Sequence, residues 1–368
     1  MIIAGEASGD AHGAGVVREL KRRNPAIDCF GIGGDKMKRE GMTLTYHVRS
    51  MSFMGFVEVL KHLPLIRAVE RTLEEQLRTK KPDVLLLIDY PGFNLRFARI
   101  AKKYGVRVLY YISPQVWAWK KGRLRTMRTI IDKMLVILPF EKEIYDKRGI
   151  PVEFVGHPLL EEMNVTESRE EFCARYGIDP AHRVLALIPG SRTQEIHALF
   201  PTMLEAARLL QKNHALEIVV AAAPNIPLEL YRDMIPSGMR VAIAVHASHA
   251  VMKYAHSAVV TSGTATLETG CFGTPMVVVY KTSWITYWLA RVVVRIKNIA
   301  LVNIIAGKTV VPELIQHDAT PASVAAVIER YLTDAAGYES VRKELSSVMH
   351  KLGEAGASKK VADAILAQ

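Results

Sequence analysis

Residues 84–94 read VLLLIDYPGFN. Five aliphatics in succession, with no polar alternation, mark a strand buried on both faces, and such strands belong to parallel sheets. The run stops at Asp89. A helical pattern follows over residues 93–104, and the next strand falls at 106–112. Strand, turn, helix and strand in repetition is the pattern of a parallel sheet with helices on both faces.

The same alternation continues on either side. Ile2, Ile3 and Ala4 lead into Gly5-Glu6-Ala7-Ser8-Gly9-Asp10 and a helix to about Arg23. Residues 30–34 form a short strand and turn, 65–80 a helix, and 134–138 and 154–155 further strands. Residues 157–183, with Pro158, Pro180 and no long apolar run, read as a connection. A second alternation then starts, with strands at 184–188, 216–222, 242–245, 258–260 and 276–279 and helices at 195–213 and 264–272. The expected fold is α/β, with two tandem Rossmann-like, doubly wound domains at 1–157 and 158–340. The helices of 341–368 are expected to pack back on an N-terminal lobe. Ligands of such sheets bind beyond the carboxyl ends of the strands, so the two sets of ends are expected to face each other across a cleft.

Composition narrows the class. At 368 residues and 49% hydrophobic the chain can fill two cores. Its three cysteines, Cys29, Cys173 and Cys271, match no zinc or redox spacing and read as reduced, packed thiols. The net charge of +11 is concentrated: residues 96–148 hold 14 Lys or Arg against 4 Asp or Glu. A local basic field calls for an anionic partner, whether phosphate, nucleic acid or acidic membrane. No 18-residue apolar run exists, so no spanning helix is expected. Residues 284–302, WITYWLARVVVRIKNIALV, combine aromatics, aliphatics and bases without acids, which suits a helix lying in a lipid interface.

Several constellations fall where ligands would bind. The turn from Gly5 to Gly13 offers glycines and helix amides, but its spacing is not that of a dinucleotide site. Glu6 and Asp10 would oppose a pyrophosphate and suit sugar hydroxyls better. The plainer reading is a capped turn, with Ser8 or Asp10 as the cap. Asp89, flanked by apolar walls at a strand end, can have a raised pKa and act as a general base, or it can cap the following helix. SPQVWAWKK at 113–121, followed by Arg123, Arg125 and Arg128, interleaves aromatics with bases as RNA-binding and membrane-interface surfaces do. Gly190, Ser191 and Arg192 offer amides, a hydroxyl and a guanidinium to one phosphate. Ser262, Gly263 and Thr264 form a second such turn, with Glu268 one helical turn further on, where a carboxylate can accept both ribose hydroxyls. Either turn by itself could be structural; together they suggest a nucleoside diphosphate and its sugar.

In order along the chain stand GEASGD, D-x-P-x-FN, Y-x-SPQVWAW, LPFEK followed by YDK, FVGHP, L-x-PGSR and SGTATLE. This ordered set resembles the lipid A disaccharide synthases, a two-lobed (GT-B) glycosyltransferase family, from about Gly5 to Val311 and including LVNIIAG at 301–307. The resemblance implies that UDP-2,3-diacylglucosamine and 2,3-diacylglucosamine 1-phosphate give the β-1,6-linked disaccharide phosphate plus UDP, with inversion. It puts the base on Asp89, places Glu6, Ser8 and His12 near the sugars, and assigns Arg192, Ser262, Gly263 and Glu268 to the UDP side. Asn303 would line the cleft. Neither a D-x-D pair nor a metal-ligand cluster is found, so no metal and no cofactor is expected. The departing charge would be met by helix N-termini and Arg192.

The acyl chains need apolar entry, for which MSFMGFV at 51–57 is the candidate on the first lobe. The expected location is cytoplasmic, peripheral on the anionic inner leaflet of the inner membrane, with no nucleic-acid partner and a homodimer left open. Other two-lobed UDP-sugar enzymes, such as a lipid-linked N-acetylglucosaminyltransferase or a UDP-sugar 2-epimerase, share the fold argument. A basic RNA-binding protein would leave both anion-binding turns unexplained.

Overall fold

The computed structural model describes residues 1–50, 63–117, 122–282 and 298–367. The expected acyl-contact stretch 51–57, Trp119 with its two lysines, and most of the interfacial stretch 284–302 lie outside the described residues.

The chain divides into two compact units, Met1–Glu161 with Leu352–Gln368, and Glu162–Lys351. In the first, β1 (Ile2–Ala4), β2 (Phe30–Gly33), β3 (Thr43–His47), β4 (Val84–Ile88), β5 (Arg107–Tyr111), β6 (Lys133–Val136) and β7 (Val152–Phe154) form a parallel sheet. Its order is β3-β2-β1-β4-β5-β6-β7. The chain therefore winds outward from β1 in one direction and from β4 in the other. The switch point lies between these two strands, where Ala4 pairs with Ile88.

Alternate residues of each strand face opposite sides. Ile3, Leu85, Leu87, Val108 and Tyr110 join one core with the helices Leu63–Lys80 and Pro91–Lys103. Ile2, Ala4, Leu86, Ile88, Leu109 and Tyr111 join the other, under the helices Ala7–Arg23 and Ala357–Leu366. Both faces are covered, which is why β4 carries no polar residue.

The second unit repeats the plan with β8 (Arg183–Ile188), β9 (Leu216–Ala222), β10 (Ala242–Val245), β11 (Ser257–Thr261), β12 (Met276–Tyr280) and β13 (Glu313–Ile315). Their order is β10-β9-β8-β11-β12-β13, all parallel, so the switch point lies between β8 and β11.

The unit boundaries lie a few residues from those read in the sequence. The change of unit falls after Glu161, not after residue 157, and the return falls at Leu352, not at 341. The helix Ala335–Lys351 stays with the second unit because Leu345 and Val348 are buried and the Tyr338 ring stacks on His256 at 4.4 Å. The last helix packs on the first helix, where the Gly15 backbone meets the Ser358 side chain. The Ser358 hydroxyl also donates to Glu161 Oε2 at 2.6 Å.

Candidate functional site

In the first unit the switch point brings together the two turns that the sequence singled out. Gly5 follows β1, and Asp89 follows its neighbour β4. Asp89 and Tyr90 both adopt left-handed backbone, with φ of +46° and +48°, a conformation rare outside glycine and concentrated at functional sites. Three bonds fix it. The Asp89 amide donates to the Tyr111 carbonyl at 3.0 Å, and its carbonyl accepts from the Tyr110 hydroxyl at 2.5 Å and from Asn94 Nδ2 at 2.6 Å. Gly5 makes room for this turn: a Cβ there would fall 2.2 Å from the Tyr90 ring.

The backbone is thus locked, while the carboxylate makes no ion pair among the described residues. Its pKa is pushed up to about 6, first by burial and then by the Glu6 carboxylate, against the pull of the Tyr90 amide. Near neutral pH it is ionised and basic enough to take a hydroxyl proton.

Glu6, Ser8 and His12 lie on or beside the start of the helix Ala7–Arg23. Glu6 is the residue before the helix and makes no capping bond. It acts on Asp89 through charge. Ser8 is exposed, and Glu6 and His12 are partly so. The plainer reading of this turn also changes. Asp10 does not cap its own helix; it accepts from the amides of Gly34, Lys36 and Met37 at 2.7–3.1 Å and so pins the neighbouring turn.

In the second unit the two anion-binding turns flank the other switch point. Gly190 has φ of +104°, and a Cβ there would strike Glu195 Oε2 at 2.4 Å. Arg192 is the first flanking residue of the 19-residue helix Thr193–Gln211. Glu195 reaches back to this helix end, accepting from the Ser191 amide at 3.3 Å and pairing with Arg192 at 3.2 Å. The position already holds a carboxylate, as an anion-binding helix end does. Across the switch point, the Ser262 amide is engaged by the Val279 carbonyl at 3.0 Å, while Gly263 and Thr264 are exposed.

Glu268 is mostly buried and lies 3.5 Å from His249 Nε2. That bond is the main cause of the raised His249 pKa. His249 in turn lines a cavity of about 420 Å³ with His246, Ser248, Glu167 and Arg175. The sequence reading missed His249, since one histidine nineteen residues before Glu268 forms no motif.

Asn303, expected to line the cleft, has a structural place in the second unit. It is fully buried. Its Nδ2 donates to the Val311 carbonyl and Glu313 Oε1, both at 2.8 Å, and its Oδ1 accepts from the amides of Val310 and Val311 at 2.8 and 3.0 Å. An amide side chain has two donors and two lone pairs. All four are used in holding the chain before β13. His157 stands in FVGHP and was given no role of its own. It is buried, and its pKa falls to about 4 through burial and then the nearby His12.

A profile of the Lipid-A-disaccharide synthetase family matches residues 1–366. The chain belongs to that family. It is 44% identical over 368 residues to the lipid-A-disaccharide synthase of Geobacter sulfurreducens, covering 100% of this chain and 96% of the relative. To the enzyme of Myxococcus xanthus it is 40% identical at the same coverage. The fold is shared more widely. A Neisseria meningitidis UDP-GlcNAc 2-epimerase bound to UDP-GlcNAc aligns with a TM-score of 0.66 at 14% identity, covering 99% of this chain and 98% of that one. The calicheamicin glycosyltransferase CalG4 aligns at 0.64 and 16%, covering 99% and 95%.

The architecture is thus GT-B, and the family, not the fold, separates this chain from the epimerases. The protein is a UDP-sugar-dependent glycosyltransferase of lipid A biosynthesis, joining UDP-2,3-diacylglucosamine to 2,3-diacylglucosamine 1-phosphate with release of UDP.

Proposed function

We propose that Asp89 is the general base of this transfer, removing the proton from the acceptor 6-hydroxyl as the oxygen attacks the donor's anomeric carbon. The observation that carries this is a locked, left-handed Asp89 at the switch point of the first sheet, its carboxylate half-hidden and its pKa near 6. Inversion needs one displacement, hence one base and one site for the leaving diphosphate. Glu6 both raises the Asp89 pKa and offers an acceptor to sugar hydroxyls, with Ser8 and His12 beside it.

The second unit takes the UDP. The amides of Gly190 and Ser191 and the Arg192 guanidinium meet one phosphate, and Ser262, Gly263 and Thr264 meet the other side. Glu268 accepts from the ribose hydroxyls with His249 behind it. A phosphate arriving at Arg192 displaces the Glu195 carboxylate, so the arginine exchanges one anion for another. The reaction is proposed to need no metal.

Arg125, Arg128 and Arg148 line a cavity of about 570 Å³ on the first unit, with no acid among the described residues of its wall. No described residue forms a helix able to cross a membrane. This cavity supports a peripheral seat on the anionic cytoplasmic leaflet.

A transfer assay with UDP-diacylglucosamine and the acylated sugar 1-phosphate tests the reading. Asp89→Asn is expected to abolish turnover while UDP binding stays at the parent's level; undiminished turnover would refute the base assignment. EDTA is expected to leave the rate unchanged, and loss restored by Mg²⁺ would refute the metal-free scheme.

A further inference from the structure

Two motifs, SPQVW and LPFEK, have no part in the assignments above, and one buried carboxylate ties them together. Glu141 is 2% exposed and lies in the first turn of the helix Pro139–Asp146. Its Oε2 accepts from the Leu138 amide at 3.2 Å. Its Oε1 accepts two donors from the segment after β5, the Ser113 hydroxyl at 2.6 Å and the Trp117 indole N–H at 3.2 Å. No cation pairs with it among the described residues. Burial pushes its pKa up to about 7 against the pull of these bonds. A buried carboxylate without a counter-ion opposes folding, so its presence needs a reason beyond capping one short helix.

The segment it grips is strained. Ile112 has φ of +63°, an outlier for a β-branched residue, and is held by its amide's bond to the Leu135 carbonyl at 3.1 Å. Trp117 is further oriented by an edge-to-face contact with Phe140, with centroids 5.4 Å apart. The same strand end is stitched to Asp89: Tyr110 donates to the Asp89 carbonyl, and Tyr111 accepts from the Asp89 amide. The left-handed turn at Asp89 and the strained turn at Ile112 are thus neighbours on adjacent strands, and Glu141 anchors the second.

We infer that Glu141 is a positioning residue for the transfer: by holding Ser113 and Trp117 against the helix that follows β6, it fixes the strained end of β5 to which Asp89 is bonded. The inference rests on Asp89 as the base. As a carboxylate Glu141 only accepts, from Ser113, Trp117 and the backbone amides of Leu138 and Ile137. An amide in its place would turn an N–H₂ toward either the Leu138 amide or the Trp117 indole, and one bond would become a donor–donor conflict. Ser113 can turn its hydroxyl to the Pro114 carbonyl, already 3.4 Å away, but the indole N–H cannot reorient without moving the ring.

The test is steady-state transfer kinetics in detergent micelles for Glu141→Gln, Trp117→Phe, their combination and Asp89→Asn. Glu141→Gln is expected to lower kcat by about 10- to 100-fold, the scale of a small misplacement of reacting groups. KM for the UDP-sugar should stay at the parent's value, because the donor turns belong to the second unit. Trp117→Phe, which keeps a ring but removes the donor, should lower kcat in the same direction. The combined variant should be no worse than Glu141→Gln alone, since both break one linkage.

A Glu141→Gln enzyme with the parent's kcat, or losses that multiply in the combined variant, would overturn the inference. If Glu141→Gln does not fold, Trp117→Phe decides by itself, and parent-like kcat there overturns it too. Full turnover by Asp89→Asn is a separate result. It removes the base assignment, whereas parent-like turnover by Glu141→Gln with inactive Asp89→Asn removes only the positioning role.

Discussion

Asp89→Asn is expected to make the protein more stable as it makes the enzyme inactive, and the gain should depend on pH. In the folded chain burial and Glu6 raise the carboxyl from 3.8 to about 6. A rise of that size corresponds to about 3 kcal/mol. The sign follows from the protons bound. Below pH 3.8 the group is protonated in both states and its burial does not oppose folding. Between 3.8 and about 6 the native state holds the proton that the unfolded state has lost, so stability falls as pH rises. Above that range the whole of about 3 kcal/mol opposes folding.

Asparagine has no charge to bury. It can still accept from the Tyr90 amide, and it tolerates left-handed backbone at least as well. Urea unfolding of parent and variant, followed through the transition of the first unit, should show the variant ahead by up to about 3 kcal/mol at about pH 8 and by less than about 1 at about pH 4. Any benefit from the backbone conformation is the same at both pH values and cancels in the comparison. A variant less stable than the parent in the alkaline measurement, or an equal gain in both, would mean that Asp89 does not carry a hidden, ionised carboxylate.

Three further outcomes follow from the same geometry. The kcat/KM of the parent should rise with pH through an apparent pKa near 6; Glu6→Gln should move that limb to lower pH without restoring 3.8, because burial, the larger cause, remains. An unmoved limb would remove Glu6 from the electrostatics of the site. Asn303→Ala should lower stability by about 2–4 kcal/mol, having left a buried amide, a half-buried amide and a buried carbonyl without this partner, with UDP affinity of the folded protein unchanged; a selective loss of UDP binding at parent stability would mean that Asn303 meets the ligand. Gly5→Ala should depress kcat with little change in donor KM, since its Cβ displaces the Tyr90 ring beside Asp89, and steady-state kinetics with a parent-like kcat would show that this turn yields without consequence.

Period and run length by themselves determined much of this protein. The unbroken apolar runs at 84–88 and 184–188 could only be strands covered on both sides, and the glycine-bearing turns after β1, β8 and β11 marked helix starts open to anions. The ordered motifs, each short, gave the family, because their chemistry is local to the chain. Strand order was not legible, for it depends on which buried strand packs beside which. Only the tertiary structure placed β1 against β4 and β8 against β11, and so turned four separate turns into two switch points. The same holds for side chains whose roles depend on distant partners. Asn303 read as a ligand residue, and its four bonds to residues 310–313 came into view only in the structure. Asp10 read as a partner for sugar hydroxyls, or with Ser8 as a candidate cap, until it was found holding another turn, and Glu141 was one letter of the LPFEK motif until Ser113 and Trp117 were found on its carboxylate. A carboxylate's pKa is likewise no property of its neighbours in sequence. Burial at the end of β4 and the charge of Glu6, far away along the chain, set it for Asp89.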